Sequence, residues 1–318
     1  MPYTLLAPIG IGRLGAFREL VEREIGLLRV ARKFKPDIMT GTSVNIARVA
    51  RMIGSRSVVV NEDDASVVPL FRLLAYPFAT AIVTPVSLAS ENYGRRHLTY
   101  PSYQKLFYLH PNRFTPDPSI RKELGVAAEE RYAVVRTSAL KAHHDARAQG
   151  LSADLIRRVL DMVRGNMRIF ISSEKDLESA FAEYRITVPH ERMHHVLAYA
   201  EFFIGDSQSM TMEAALLGTP AFRLSSFAGR ITVIRELEEY GLAFGFRPGG
   251  ERRLTDELGL LLSTPDIHGV MKRRREVMLS EKIDPLPWFL RVLDLVGRGH
   301  AVEDIRRMTL EEGYFHLK

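Results

Sequence analysis

Residues 205–213, Gly-Asp-Ser-Gln-Ser-Met-Thr-Met-Glu, follow a wholly apolar run at 202–204 and lead into a helical pattern at 209–217. A helix that starts on a polar turn leaves its first backbone N–H groups without intrahelical acceptors, and the helix dipole adds positive potential there. Two readings fit these residues. In one, Asp206 or Ser207 caps the helix and does nothing more. In the other, the turn holds an anion such as a pyrophosphate, with Ser207 and Ser209 adding hydroxyl donors and Glu213, one turn on, meeting a pair of sugar hydroxyls.

Other polar groups sit where chemistry is feasible. His144-Asp145 places an imidazole beside a carboxylate, the usual proton-transfer unit; adjacent side chains often diverge, and the pair then belongs to a surface loop. Ser172, Ser173 and Glu174 close a strand pattern at 167–171 and form either the rim of a ligand site or an ordinary turn with a helix cap. Asn61, Glu62, Asp63 and Asp64 leave a buried strand. Acids at such a position supply a general base, for which Asp63 is a candidate, or a metal site, or a solvated turn. Gly10-x-Gly12-x-x-Gly15 has the spacing of a dinucleotide fingerprint, but no acidic residue closes the next strand, so a loop leading into a helix is the simpler reading.

The elements that must position these groups alternate. Short apolar strands at 38–40, 57–60 and 81–84 are separated by helices at 44–53 and 68–78, after a helix at 16–33. Residues 110–126 hold three prolines and few apolar side chains, which marks a linker and a domain boundary near residue 118. Beyond it the alternation resumes, with strands at 132–135, 167–171, 202–204 and 220–224 and helices at 151–163, 193–200, 209–217 and 232–239. This is the pattern of parallel α/β sheets, and two doubly wound domains, 1–118 and 119–318, are expected to place any ligand in a cleft at the carboxyl ends of their strands.

Composition bounds the class. The 318 residues are 46% hydrophobic and 26% charged, with no cysteine, which excludes disulfides and thiolate metal sites. No run reaches the ~20 apolar residues that span a bilayer, so a soluble cytoplasmic protein is expected. A net charge of +6 concentrates in Arg95-Arg96, Lys272-Arg273-Arg274-Arg275 and Arg306-Arg307. Such runs are solvated helix faces or contacts to anionic lipid, and no nucleic-acid-binding motif accompanies them.

The segment "GDSQSMTMEAALLGTPAFRLSSF" resembles the donor-nucleotide loop of the GT-B superfamily. Within it, the chain resembles an uncharacterised prokaryotic family, a domain of unknown function, related to the UDP-N-acetylglucosamine 2-epimerases and the peptidoglycan N-acetylglucosaminyltransferase. The resemblance continues in "VVVNEDDA", "HPNRFTPD", "VVRTSALKAHHD", "IFISSEKDLE" and "VPHERMHHVLAYA" and covers most of the chain. It implies a GT-B fold and a nucleotide diphosphate sugar, a UDP-sugar, as substrate, with no tightly bound cofactor and no metal. Ser207, Gln208 and Ser209 would face the diphosphate beside Asp206, Glu213 the ribose, Arg136 a phosphate, and Ser172 and Ser173 the nucleobase. His194, rather than His195, matches the family histidine and would approach the donor or brace the helix; His144, Asp145, Asp63 and Glu174 are the acid/base candidates.

The family pattern also begins with a strand, a glycine-rich loop and a helix that this chain lacks, so a first domain truncated at its N-terminus is expected, with Gly10, Gly12 and Gly15 in a loop beside the cleft. Three functions follow from the resemblance: a glycosyltransferase of surface polysaccharide synthesis acting on a glycan or lipid-linked acceptor, a UDP-sugar 2-epimerase, or a nucleotide-sugar-binding scaffold.

Overall fold

The computed structural model describes residues 4, 12–138, 151–174 and 177–314. Two compact units divide the chain: Met1–Gln104 with Ile283–Lys318, and Lys105–Lys282.

The first unit runs α1 (Gly12–Phe34), β1 (Ile38–Gly41), α2 (Val44–Ile53), β2 (Arg56–Val60), α3 (Pro69–Ala75), β3 (Ala81–Pro85) and β4 (His97–Tyr100). Its four strands are parallel in the order β1-β2-β3-β4. β3 is buried throughout and β2 from Ser57 onward, as a parallel sheet covered on both faces demands. The ends of α2 follow from its sequence: the Ser43 side chain accepts a hydrogen bond from the Asn45 N–H, and Gly54 closes the helix at φ 75°, where a side chain would be strained.

The second and third glycines of the spacing are helical rather than in a loop. Gly12 and Gly15 lie inside α1, because the apolar helical repeat of 16–33 extends back by one turn, while Gly10 falls outside the described residues.

The second unit contains α4 (Leu106–Leu109), α5 (Ile120–Glu123), β5 (Tyr132–Thr137), α6 (Ala153–Val163), β6 (Arg168–Ser173), α7 (Met193–Ala198), β7 (Phe203–Gly205), α8 (Gln208–Leu217), β8 (Ala221–Leu224), α9 (Thr232–Glu239), β9 (Ala243–Phe246), α10 (Glu251–Ser263) and α11 (Ile267–Glu281). Its parallel sheet has the order β6-β5-β7-β8-β9. One face is apolar, with Val135, Ile171, Ile204, Phe222 and Leu224 packed on Leu155 and Val159 of α6 and Leu254 and Leu258 of α10. α8 packs on β7 and β8, and α9 on β9. The register sets Ser172, Arg136, Gly205, Arg223 and Gly245 in one row across all five strands. Strand alternation puts this row on the face opposite Val135 and Ile204.

The chain then returns to the first unit as α12 (Pro285–Gly297) and α13 (Val302–Glu311). Trp288 of α12, 1% exposed, stacks on Tyr100 of β4 with ring centroids 5.3 Å apart, and Arg306 of α13 donates to the His97 carbonyl. The units therefore depart from the boundary expected at 118. Residues 110–126 are not a spacer, since Arg192 binds Asp117 at 2.8 Å and Glu123 at 2.6 Å and the Tyr199 hydroxyl donates to the Pro116 carbonyl. The prolines mark turns, and these contacts tie the turns to the second unit.

Part of each of two basic runs serves as an internal tie. Arg274 and Arg275 donate to the Gly241 and Leu216 carbonyls, and burial lowers the Arg275 pKa. Arg96 donates to the Pro77 and Ala79 carbonyls. These arginines are engaged by backbone, while Arg95, Lys272 and Arg273 of the same runs are exposed. Among the described residues no helix is long and apolar enough to cross a membrane.

A charge cluster around the buried Glu201 links the residues that lead into β5 and β7 with α11. Glu201 accepts from Arg131 at 2.7 Å and pairs with His268 at 3.0 Å. Burial alone would raise the Glu201 carboxyl, but the hydrogen bonds from His268 and Arg131 outweigh it and hold it at about 2. The same contact with Glu201 raises His268. The His268 contribution is therefore full below the unfolded value of about 6.5 and fades as pH rises through the raised folded value; the Glu201 contribution is full above about 4.5 and fades as pH falls toward 2. His268→Ala is expected to cost less than about 1 kcal/mol at pH 6, since the imidazole is 66% exposed, and less still at pH 9. Urea denaturation at the two pH values checks this; an equal loss at both would show that the charge is irrelevant.

Candidate functional site

The carboxyl ends of β5, β6 and β7 carry most of the expected residues. Arg136, near the end of β5, is 12% exposed. Its Nη1 donates to Ser172 Oγ at 2.7 Å and its Nη2 forms a salt bridge with Glu174, so the guanidinium plane is fixed by two residues of the β6 end. One residue on, Thr137 Oγ1 donates to Ser173 Oγ at 2.8 Å. Ser172 and Ser173 thus brace β5 from β6, and Glu174 is held as the partner of Arg136.

Asp206 does not face outward. It is 6% exposed and its Oδ1 accepts from both the N–H and the hydroxyl of Ser138, at 2.8 and 2.5 Å, which pins the end of β5 to the end of β7. Ser207 caps α8, its Oγ accepting from the Met210 N–H at 3.4 Å, and Thr211 Oγ1 donates back to the Ser207 carbonyl at 2.7 Å. The cap accounts for one of the first N–H groups of α8. The first turn of α8 also lies at the positive end of the helix dipole. Capping and an anion-ready helix start therefore coexist. A Cβ at Gly205 would come 2.5 Å from the Phe203 ring and 3.2 Å from the Arg136 Cβ, so the glycine leaves room chiefly for that ring.

Glu213 of α8 is 13% exposed and already has neighbours. The Tyr108 hydroxyl donates to its Oε1 at 2.8 Å, and His194 Nε2 lies 3.5 Å from the same oxygen. The Tyr108 and His194 rings are 5.3 Å apart. His194 thus meets the carboxylate that was expected to take a ribose, while His195 turns away: its Nδ1 accepts from the Asp117 N–H at 2.9 Å, and burial, with the Arg192 charge, lowers its pKa. His144 and Asp145 lie outside the described residues.

In the first unit the acidic group after β2 is largely structural. Asn61 donates to the Tyr76 hydroxyl at 3.0 Å and to the Asp63 carbonyl at 2.9 Å; Glu62 accepts from the Gln104 N–H at 3.2 Å. Asn61, Glu62 and Asp64 are buried, and Asp63 is half-buried. Among the described residues no group of three or more His, Cys, Asp or Glu is arranged to hold a metal ion.

Two residues escaped the sequence reading. Tyr108 stands two positions before the HPNRFTPD motif, and its proximity to Glu213 is a long-range fact no spacing reveals. Arg223, 4% exposed, shares the row of Arg136. Its signal was present: an arginine inside an apolar strand, Ala-Phe-Arg-Leu, is a buried charge that needs a reason.

The fold of this site recurs in solved structures. The spinosyn forosaminyltransferase SpnP is similar with a TM-score of 0.59 and 16% identity, over 91% of this chain and 86% of that one. The UDP-GlcNAc 2-epimerase of Methanocaldococcus jannaschii, solved with UDP-GlcNAc and UDP, gives 0.58 and 14%, over 85% and 83%. A putative UDP-N-acetylglucosamine 2-epimerase from Listeria monocytogenes gives 0.56 and 15%, over 80% and 73%. These similarities establish the GT-B architecture, two parallel α/β units, as expected from the sequence. No curated protein sequence matches the chain. Residues 14–237 match the family described as a protein of unknown function, DUF354, and the chain belongs to that family.

Proposed function

We propose that the second unit binds a nucleotide diphosphate sugar, with a UDP-sugar as the first choice, and that the protein is a glycosyltransferase acting on a hydroxyl acceptor of a glycan or lipid-linked glycan. The observation that carries this reading is the placement, at the carboxyl ends of the neighbouring strands β5 and β7, of a fixed guanidinium on Arg136 and the start of α8 after Ser207. Both favour negative charge, and a phosphate at Arg136 would share or displace the Glu174 carboxylate that now pairs with it. A leaving diphosphate gains charge as the anomeric bond breaks, and preorganised N–H donors and a guanidinium stabilise that charge more than the ground state. Glu213 is assigned to the ribose hydroxyls. Asp63, the acid of its group that is not buried, is assigned as the base that takes the acceptor proton.

Tyr108 gives the ribose assignment a specific test. A ribose reaching Glu213 displaces the Tyr108 hydroxyl, so Tyr108→Phe is expected to leave UDP affinity equal or higher, whereas Glu213→Ala lowers it by about 10- to 100-fold and lowers that for 2′-deoxy-UDP much less. Calorimetry with the two nucleotides reads both; equal losses for the two in Glu213→Ala would remove the residue from the ribose. Mass spectrometry of a UDP-GlcNAc incubation then separates the chemistries. Product that depends on an added glycan acceptor supports transfer, and N-acetylmannosamine products formed from the nucleotide sugar alone would move the assignment to 2-epimerisation.

A further inference from the structure

The row Ser172-Arg136-Gly205-Arg223-Gly245 continues past the proposed nucleotide site to the other edge of the sheet, where it ends at a cavity. Its volume is about 340 Å3, and it is lined by Ala228 and Gly229 after β8, Glu238 of α9, Gly245 and Phe246 of β9, the turn that follows and Arg253 of α10. It shares no residue with the Ser207–Glu213 stretch.

The lining is unusual in its charge. Glu238 reaches across α9 to the sheet, and a Cβ at Gly245 would lie 2.2 Å from its Oε1, so the absent side chain is what admits the carboxyl there. That Oε1 is buried and accepts no hydrogen bond from the described residues. Burial raises the Glu238 pKa, with the charges of Arg223 and Arg235 opposing. A buried acceptor left without a donor costs roughly 1–3 kcal/mol, so it calls for a reason.

Two guanidinium groups also line the cavity. Arg247 spends Nε on the Ala228 carbonyl at 3.2 Å, and Arg253 has an exposed pairing with Glu257 at 3.7 Å. α10 also begins at this wall, on Gly250, which offers no side-chain cap. Two cationic side chains and a single carboxyl thus line one space of the size that holds a small ligand.

We propose that this cavity binds a phosphorylated sugar, that is, a phosphate monoester carrying hydroxyl groups. The phosphate lies against Arg247 and Arg253, where charge-assisted hydrogen bonds are strongest. A sugar hydroxyl meets the Glu238 carboxyl over Gly245. The site is a second one, independent of the nucleotide reading, and it would let the protein respond to the level of a sugar phosphate.

Calorimetric titration of the full chain with glucose 6-phosphate, glucose and inorganic phosphate tests it, each with and without saturating UDP. Glucose 6-phosphate is expected to bind saturably, about tenfold more tightly than inorganic phosphate, and to be unaffected by UDP. Arg253→Ala, at an exposed position where folding is not at stake, should weaken it at least about tenfold, and Glu238→Gln should narrow the gap between the sugar phosphate and inorganic phosphate. No saturable binding, unchanged affinity in Arg253→Ala, or equal affinity for inorganic phosphate overturns the proposal. Displacement by UDP also overturns it, because the ligand is then in the nucleotide site. Retained glucose 6-phosphate binding with no UDP binding would instead reject the nucleotide reading and leave this one standing.

Discussion

Replacing Arg136 with alanine is expected to weaken UDP binding by about 100-fold and to change uridine binding by no more than about twofold. The size follows from the contacts at stake: a guanidinium contributes roughly 1.5–3 kcal/mol through hydrogen bonds to a charged group, and about 2.7 kcal/mol corresponds to 100-fold. Uridine supplies the internal control, since it has the base and ribose but no phosphate. A variant that had merely lost its fold would lose both ligands. Arg136→Lys should fall between, because lysine keeps the charge but cannot reproduce the planar fork that Ser172 and Glu174 hold in place. Parallel losses of UDP and uridine would remove Arg136 from the phosphate; unchanged UDP affinity would mean its contacts with Ser172 and Glu174 are its whole role.

Trp288→Ala is expected to destabilise the first unit by about 3–5 kcal/mol, the cost of emptying a large buried aromatic site. The indole is 1% exposed against Tyr100, and Val292, Leu295 and Val296 of the same helix are buried beside it. Circular dichroism in urea gives the value, and since this is the single tryptophan of the chain, wild-type fluorescence follows the same unit. A loss below about 1 kcal/mol would contradict the assignment of α12 to the first unit's core, because a helix that docks only loosely leaves no cavity when its tryptophan is cut back.

How much of this was legible in the sequence depended on the range of the interaction. Period and end signals are local, and they served well: α2 and α9 run over the residues that the apolar repeat marks, and the strands at 57–60, 81–84 and 220–224 are within a residue or two of β2, β3 and β8. β4 and β9 were missed, the first because His97 and Thr99 dilute a four-residue strand and the second because Gly245 interrupts it. The C-terminal helices went to the wrong unit for a different reason. Their apolar faces show that they pack, and only tertiary structure shows on what. The same limit applies to the site. The Ser207 cap could be read from a polar turn before a helix, whereas the inward aim of Asp206, the tie of Glu174 to Arg136 and the Tyr108 contact to Glu213 each join positions 38 to 105 residues apart.

The account rests on nucleotide-sugar binding by the second unit, and calorimetric titration of the purified protein with UDP-GlcNAc, UDP and NAD addresses that most directly. Saturable binding of UDP and UDP-GlcNAc at one site per chain, absent for NAD and lost in Arg136→Ala, is the predicted result. Heat from NAD alone, or from none of the three across a panel extended to other nucleotide sugars, would contradict it and leave the GT-B architecture as a fold turned to another ligand.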